Sequence, residues 1–482
     1  MDYNHIKREA FPESERADVM KKKTVGKIIG LVLGIWLLYF LIPVIVLPLF
    51  QPEVPEIKPM TELLSRPDGE RICCIDDNNE ALIRRLQVIE SAQKELIYTS
   101  FSYRNDESGR DIMAALLHAA DRGVRVRILV DGFCVFTGLG RSPEFSALAG
   151  SPNTEIRVYN PVRLSRPWRI NYRMHDKYIV ADNSVYILGG RNTKNVSLGA
   201  YQTTYDQDRD LLVYSPVLDP RNSVFQVKEY FEKIWNLPET EAFSGLTLSR
   251  EKAAQQLREY YSYMKNGAPE VFTVPDWEEE TMPAGSVTLF TNPIEAKNKV
   301  PVLWASLCSM MQQGRDVVIE TPYIICNTAM YRSLEQLNSG SHRVRVITNS
   351  PATGANPSGC ADLMNQREPI RQTGTEVYEY AGEHSSHAKT ILVDDRISII
   401  GSFNLDMRST YLDTEMMLAV DCPELNEHLR ELDTEYMEQS ICHHPDGTVT
   451  EGSRYTETSL SFSQKLFYGI FRILILPVRQ LL

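Results

Sequence analysis

Two stretches of this sequence carry the same reactive residues at the same spacing. The first runs His175-Asp176-Lys177 and continues to Asp182, Gly189-Gly190 and Asn192. The second runs His387-Ala388-Lys389 and continues to Asp394, Gly401-Ser402 and Asn404. Both fit H-x-K-x4-D-x6-G-[GS]-x-N without a gap. At roughly 5% usage per residue type, five fixed positions coincide on the order of once per few million starts. Two matches in one chain therefore mark two copies of one structural unit. A pair of imidazoles can divide phosphodiester chemistry between them. One attacks phosphorus and the other protonates the leaving alcohol, because imidazole titrates near working pH. Lys177 and Lys389 are pure donors and Asn192 and Asn404 partial ones, suited to the oxygens of a phosphorane-like transition state. Such a site calls for no metal and no organic cofactor.

Each copy reads as strand, tight turn, strand. Tyr178–Val180 and Ile391–Val393 are apolar and rich in β-formers, and Val185–Leu188 and Ile397–Ile400 return. Side chains alternate across a strand, so His and Lys of each copy share a face while Asp176 and Ala388 point away. Asp182 and Asp394 lie at the turns, off that phase, and read as structural residues fixing the hairpins. The glycine pairs allow close backbone approach to a ligand. The repeat extends upstream. Helices are expected over 80–93 and 109–122 with strands over 96–102 and 124–130. In the second half helices are expected over 302–313 and 329–337, with strands over 317–320 and 344–347. This alternation predicts an α/β class, a sheet flanked by helices in each half. Two such domains about a pseudo-twofold axis would bring the signatures face to face, which the chemistry requires.

The 482 residues suffice for two cores, and 43% hydrophobic with 24% charged residues is a globular balance. A net charge of −12 argues against a nonspecific nucleic-acid binder. Arg163, Arg166, Arg169 and Arg173 precede His175 and are candidates for a mouth that attracts anionic headgroups. Residues 28–50 carry no charge and are long enough to cross a bilayer. Lys21, Lys22, Lys23 and Lys27 precede them and Glu53 and Glu56 follow, which puts the N-terminus in the cytoplasm and the catalytic domains outside it. The end of the chain, 466–482, reads as an interfacial helix with Arg472 and Arg479 on one face. The eight cysteines form no regular framework, and Cys442-His443-His444 lacks a partner pair at zinc spacing, so it reads as a surface loop rather than a metal site. Together these features favour lipid as substrate and the membrane as partner, with no nucleic acid.

The doubled signature resembles that of the phospholipase D superfamily. Residues 169–175, 189–192 and 401–409 look like bacterial cardiolipin synthases, the C-type most of all, a likeness covering about residues 75 to 482. The resemblance implies two tandem phospholipase D-like α/β/α sandwich domains behind an N-terminal transmembrane helix. It implies a phosphatidyltransferase that makes cardiolipin from phosphatidylglycerol and a second phospholipid, phosphatidylglycerol or phosphatidylethanolamine, through a covalent phosphatidyl-histidine. It favours His175 as nucleophile and His387 as acid, then base. Hydrolysis of phospholipids by the same site is the alternative, and a membrane-bound nuclease a further one. Ser402 implies a hydroxyl contact to phosphate from one half only, since Gly190 stands opposite. The family also uses an acid to hold the back nitrogen of each His, and Asp210 and Glu415, each before an apolar run, are the candidates.

The expected divisions are a cytoplasmic segment 1–27, an anchor 28–50 and a linker 51–72 containing Pro52, Pro55, Pro59 and Pro67. A first phospholipase D-like domain 73–248 follows, then an interdomain helix and linker 249–285, with Ser249 as cap. A second such domain 286–445 and a C-terminal segment 446–482 complete the chain.

Overall fold

A computed structural model describes residues 13–57, 69–245 and 249–482, with side chains from residue 21 onward. Residues 1–12 and the linker prolines Pro59 and Pro67 lie outside the described residues. The alternating strands and helices gather into two nine-stranded sheets. In the first, the strands lie in the order Met282–Pro283, Arg71–Ile75, Asp210–Tyr214, Val185–Gly189, Tyr178–Ala181, Glu95–Ser100, Arg125–Asp131, Thr154–Tyr159, Thr240–Ala242. In the second, the order is Ser286–Thr291, Met416–Asp421, Ile397–Gly401, Thr390–Val393, Asp316–Glu320, Arg343–Asn349, Glu376–Tyr380, Ser440–His443, Val449–Glu451. From the second strand of the first sheet and the first of the second, the two orders run in parallel. Each signature hairpin sits beside the strand that opens a parallel trio.

Strand alternation explains the layers. Leu96 and Tyr98 face the helices Asn78–Ser91 and Glu107–Asp121, whereas Ile97 points to the opposite face, where helix Ser223–Trp235 packs. That second face runs without a break into the core of the second half, so the halves share apolar packing. A fully buried Leu, Ile or Phe there contributes roughly 1.5–3 kcal/mol. Asp77 and Asp106 cap the two outer helices by accepting from the amides of Glu80 and Gly109. Asp182 and Asp394 sit at the hairpin turns with φ of 54° and 49°. Their carboxylates accept from the amides of Lys94 and Glu95, and of Arg315 and Asp316, at 2.8–2.9 Å. Each turn is thereby clamped to the start of the neighbouring strand.

Several expectations change at the edges. The segment 249–285 is not a free connector: helix Arg250–Gly267 packs on the first half, and Met282–Pro283 forms that sheet's edge. Ser249 is in the left-handed region and makes no side-chain cap. Val449–Glu451 extends the second sheet beyond residue 445. Cys442 lies in a strand rather than a loop, and all eight cysteines are free thiols.

The helix Glu13–Val46 continues through Pro43 to a 3-10 turn at Leu47–Leu49, and Lys21–Leu49 is long and apolar enough to cross a membrane. The chain after it is seated rather than slack. Asn298 donates to the carbonyls of Leu47 and Phe50, and Asn327 to Gln51 Oε1 at 2.6 Å. Helix Phe462–Leu474 docks through Tyr468 and Ile475 against helix Pro357–Gln372. Arg472 of this helix turns inward to Asn365 Oδ1 at 2.7 Å, and Arg479, expected on the same helical face, lies instead in the following 3-10 turn Leu476–Leu481 and bonds Asp362.

Candidate active site

The two His residues are held by backbone straps that cross from one half to the other. The amide of His175 donates to the carbonyl of Thr414 at 3.2 Å, and that of His387 to the carbonyl of Gln207 at 2.6 Å. Met174 bridges Thr414, and Ser385–Ser386 pairs with Asp206–Gln207. The residue after each strap carbonyl is an acid, and it reaches the imidazole of the opposite half. His175 Nδ1 lies 2.9 Å from Glu415 Oε1, and His387 Nδ1 bonds Asp208 Oδ2. Nδ1 of each ring is thus taken by its acid, and Lys389 Nζ also lies 2.7 Å from Nδ1 and 3.3 Å from Nε2 of His387.

Asp210 is therefore not a His-orienting residue, and Asp208 stands in its place. The register gives the reason. Gly190 donates to the carbonyl of Arg209 and Ser402 to that of Met416, so Asp208 corresponds to Glu415 and Asp210 to Met417. Asp210 is fully buried between two guanidiniums, Arg85 at 2.8 Å and Arg191 at 3.2 Å. It neutralises charge inside the first half. The apolar run Leu211-Leu212-Val213 starts directly after Asp210 and Met416-Met417-Leu418 directly after Glu415, although Asp210 corresponds in register to Met417. Alignment on the apolar runs thus misplaces the acid by two residues.

The glycine expectation also changes. A Cβ on Gly190 would overlap Asp208 Oδ1, so the close approach there is to the acid rather than to a ligand. Ser402 does not offer its hydroxyl to phosphate: it donates to Glu415 Oε2 and accepts from the amide of Met416 at 3.0 Å. Ser409 bonds Glu415 Oε1. Asn192 Oδ1 accepts from the amide of Ser102 at 3.2 Å, leaving its amino group as the donor end. Asn404 Nδ2 donates to Tyr323 at 3.1 Å, and Asn404 Oδ1 is buried without a partner. Lys177 and Lys389 are buried, and each bonds the carbonyl of its own His. Of the arginine cluster, Arg173 is buried on Asp131 at 3.3 Å, while Arg163 and Arg169 pair with Glu241 and Glu239. They stitch the approach loop together, and Arg166 is exposed.

A model of the phospholipase D-like domain of cardiolipin synthases matches residues 86–235 and 307–434. The chain belongs to this family. Cardiolipin synthase C of Escherichia coli (strain K12) is 27% identical over 383 residues, covering 72% of this chain and 80% of that protein. An uncharacterized protein of Helicobacter pylori (strain ATCC 700392 / 26695) is 25% identical over 411 residues, 77% of this chain and 80% of that one. The crystal structure of phosphatidylserine synthase from Haemophilus influenzae superposes with a TM-score of 0.58 at 16% identity, covering 87% of this chain and 98% of that one, which is a likeness of fold.

Within the family frame the electrostatics of the two arms differ. Burial drives the His175 imidazole well below its usual pKa, and Lys177 pushes the same way. Burial also lowers His387, as does Lys389, but Asp208 opposes both. Burial raises Glu415 to about 7 against the pull of Lys177. Asp208 is held below the carboxylate range: burial raises it, and Lys389 and His387 outweigh that. Burial brings Lys177 down to about 7 and also lowers Lys389. His387 and Lys389 act on His175 through space, so the two signatures share one electrostatic site. Phe101, which the signature does not contain, sets its ring edge-on to His175 at 4.9 Å and roofs Lys177 at 5.4 Å. No spacing rule points to it. Tyr323 is equally invisible in sequence, because it reaches Asn404 from a separate loop.

Proposed function

We propose that this chain is a phosphatidyltransferase that makes cardiolipin from phosphatidylglycerol and a second phospholipid, phosphatidylglycerol or phosphatidylethanolamine. The observation that carries the reading is the pair of imidazoles, each held at Nδ1 by an acid from the opposite half. A carboxylate on Nδ1–H fixes the tautomer with its lone pair on Nε2.

His175, the ring kept neutral by burial, acts as nucleophile. Its Nε2 attacks phosphorus of the donor, the bond from phosphorus to the headgroup oxygen breaks, and His387, entering as the imidazolium backed by Asp208, passes its Nε2 proton to that oxygen and becomes neutral. The products are a phosphatidyl-histidine and a free alcohol. His387, backed by ionised Asp208, then removes the proton from a hydroxyl of phosphatidylglycerol. That oxygen attacks phosphorus, the phosphorus–nitrogen bond breaks, and cardiolipin leaves with His175 restored. Lys177, Lys389, Asn192 and Asn404 face the phosphate oxygens and strengthen their contacts as charge builds. Charge stabilisation by these donors requires no divalent ion, so turnover should persist in a chelator.

Lys21–Leu49 serves as the membrane anchor. Lys21, Lys22, Lys23 and Lys27 precede its apolar run, which favours a cytoplasmic N-terminus and catalytic domains on the far side. Protease protection in right-side-out vesicles checks the side. The function is tested by supplying labelled phosphatidylglycerol to the purified protein in mixed vesicles. Labelled cardiolipin is expected, whereas phosphatidic acid without cardiolipin would mean hydrolysis and overturn the transferase reading.

A further inference from the structure

The C-terminal helix is built inside out for a soluble protein. Its Arg472, and Arg479 of the turn that follows, bond Asn365 and Asp362 of the body, while Lys465 stays exposed near its N-terminal end. Its outward side carries Phe462, Leu466, Phe467, Ile470, Ile473 and Leu474, between 46% and 84% exposed. Such a contiguous apolar face needs an occupant.

The occupant follows from what the face adjoins. The 3-10 turn Leu476–Leu481 that continues this helix lies against the end of the anchor, where Gln480 Nε2 donates to the carbonyl of Ile45 at 3.0 Å. On the other flank the loop before His175 grips the anchor deeper. Tyr39 donates to the carbonyl of Ser165 at 3.0 Å, its ring meets Trp168 edge-on at 6.2 Å, and Asn171 donates to the carbonyl of Val44 at 2.7 Å. Leu164 and Trp168 of that loop are exposed. Arg408 ties the two flanks, donating to the carbonyls of Leu481 at 3.1 Å and Asn171 at 3.0 Å. Tyr39 and Ile45 are about 9 Å apart along a helix axis. The loop therefore meets the span at the tail's level, through Asn171 on Val44, and one to two turns further in, at Tyr39.

We infer that the outer face of helix Phe462–Leu474 and the Leu164/Trp168 loop form one lipid-docking surface, which seats the catalytic body against the bilayer around the anchor's exit. This rests on the reading of Lys21–Leu49 as a membrane span. A surface continuous with the exit of a span lies at the membrane interface, where aromatic rings with a polar edge collect. The surface also meets the catalytic strap. Arg408 holds Asp413 at 3.1 Å, and the next residue, Thr414, carries the carbonyl that fixes His175.

The test uses the full chain in vesicles of phosphatidylethanolamine and phosphatidylglycerol. Ile470→benzoylphenylalanine and Ile473→benzoylphenylalanine should photo-cross-link to phospholipid. Tyr468→benzoylphenylalanine, facing inward, should cross-link only to helix Pro357–Gln372. Adducts of the 470 and 473 probes with protein in place of lipid would overturn the inference. A Leu466→Ser/Ile470→Ser/Ile473→Ser/Leu474→Ser variant with unchanged Tm should lose about tenfold in turnover of long-chain lipid in vesicles, from the apolar area withdrawn from the bilayer. Its turnover of monomeric dihexanoyl lipid should stay within about twofold, since that substrate needs no surface. Equal loss on both substrates, or loss on neither, would also overturn it. If the parent protein turns over neither lipid, the proposed activity fails, and the cross-links still judge the surface.

Discussion

Around His175 the supporting acid is Glu415, long and bonded by the hydroxyls of Ser402 and Ser409. Around His387 it is Asp208, one methylene shorter, packed on the bare backbone of Gly190 and bonded by the amide of Arg209 at 2.8 Å. The next layer is exchanged too. Where the second half stacks Phe403 on Trp304 and sets Met417 beside the glycine, the first half buries Arg191 and Arg85 against Asp210. The backbone plan is one, but its occupants were replaced in matched sets: Gly with Asp, Ser with Glu, Phe with Met, Arg with Asp. The chemistry inherits the asymmetry. Glu415, poorly solvated, titrates at about 7, whereas Asp208 stays ionised beside Lys389 and His387. A shared site with one weak and one strong acid suits a nucleophile on one side and a proton carrier on the other.

The sharpest break of this comparison is removal of each His. His175→Ala should leave no detectable transfer and no covalent lipid adduct. His387→Ala should lose about 10³-fold, the scale of one general acid–base group, and still accumulate an adduct on His175. Peptide mapping after acid quench decides, and an adduct on His387 alone would reverse the roles.

The acids come next. Glu415→Gln and Asp208→Asn should each lower kcat by about 10³- to 10⁴-fold through the wrong tautomer, with KM little changed. Asp210→Asn should instead cost about 3 kcal/mol of stability, because Arg85 and Arg191 lose their counter-charge, while activity per folded molecule is largely kept. Chemical denaturation beside single-turnover kinetics separates the two outcomes.

Matched replacement can itself be tested. Gly190→Ser should cost about 10²-fold by displacing Asp208, and Gly190→Ser/Asp208→Glu should recover about tenfold of it, as coupled neighbours do. Additive losses would mean that the two halves are not interchangeable at this layer.

The smallest effect is on pH. Glu415 protonates below about 7 and can then donate to His175 Nδ1, moving the ring proton to Nε2 and blocking attack, so the rate falls on the acid side. Lys177 loses its proton above about 7 in the free protein and ceases to stabilise phosphate charge, so kcat/KM falls on the alkaline side as well. The Ser402 hydroxyl lowers the Glu415 pKa, so Ser402→Ala should move the acid limb upward by a fraction of a unit. Lys177→Arg should move the alkaline limb upward, since guanidinium stays charged.

The residues of the reaction centre were legible in sequence because the hairpin that holds them is local. His and Lys two apart on a strand, a turn aspartate, and a Gly-x-x-Asn on the return strand are set by alternation and turn geometry within about twenty residues. The α/β class and the repeat were legible for the same reason, as was the apolar span with its lysines. Which acid serves which His was decided only by the tertiary structure. The partners lie 240 and 179 residues apart and cross between halves, and strand register, not the position of an apolar run, selects Asp208 over Asp210. The inward turn of Arg472 and Arg479 was likewise beyond periodicity, which places residues on a helix face but does not say which face meets the body. Side-chain type and spacing are properties of the chain, whereas burial, charge partners and pKa belong to the assembled interface.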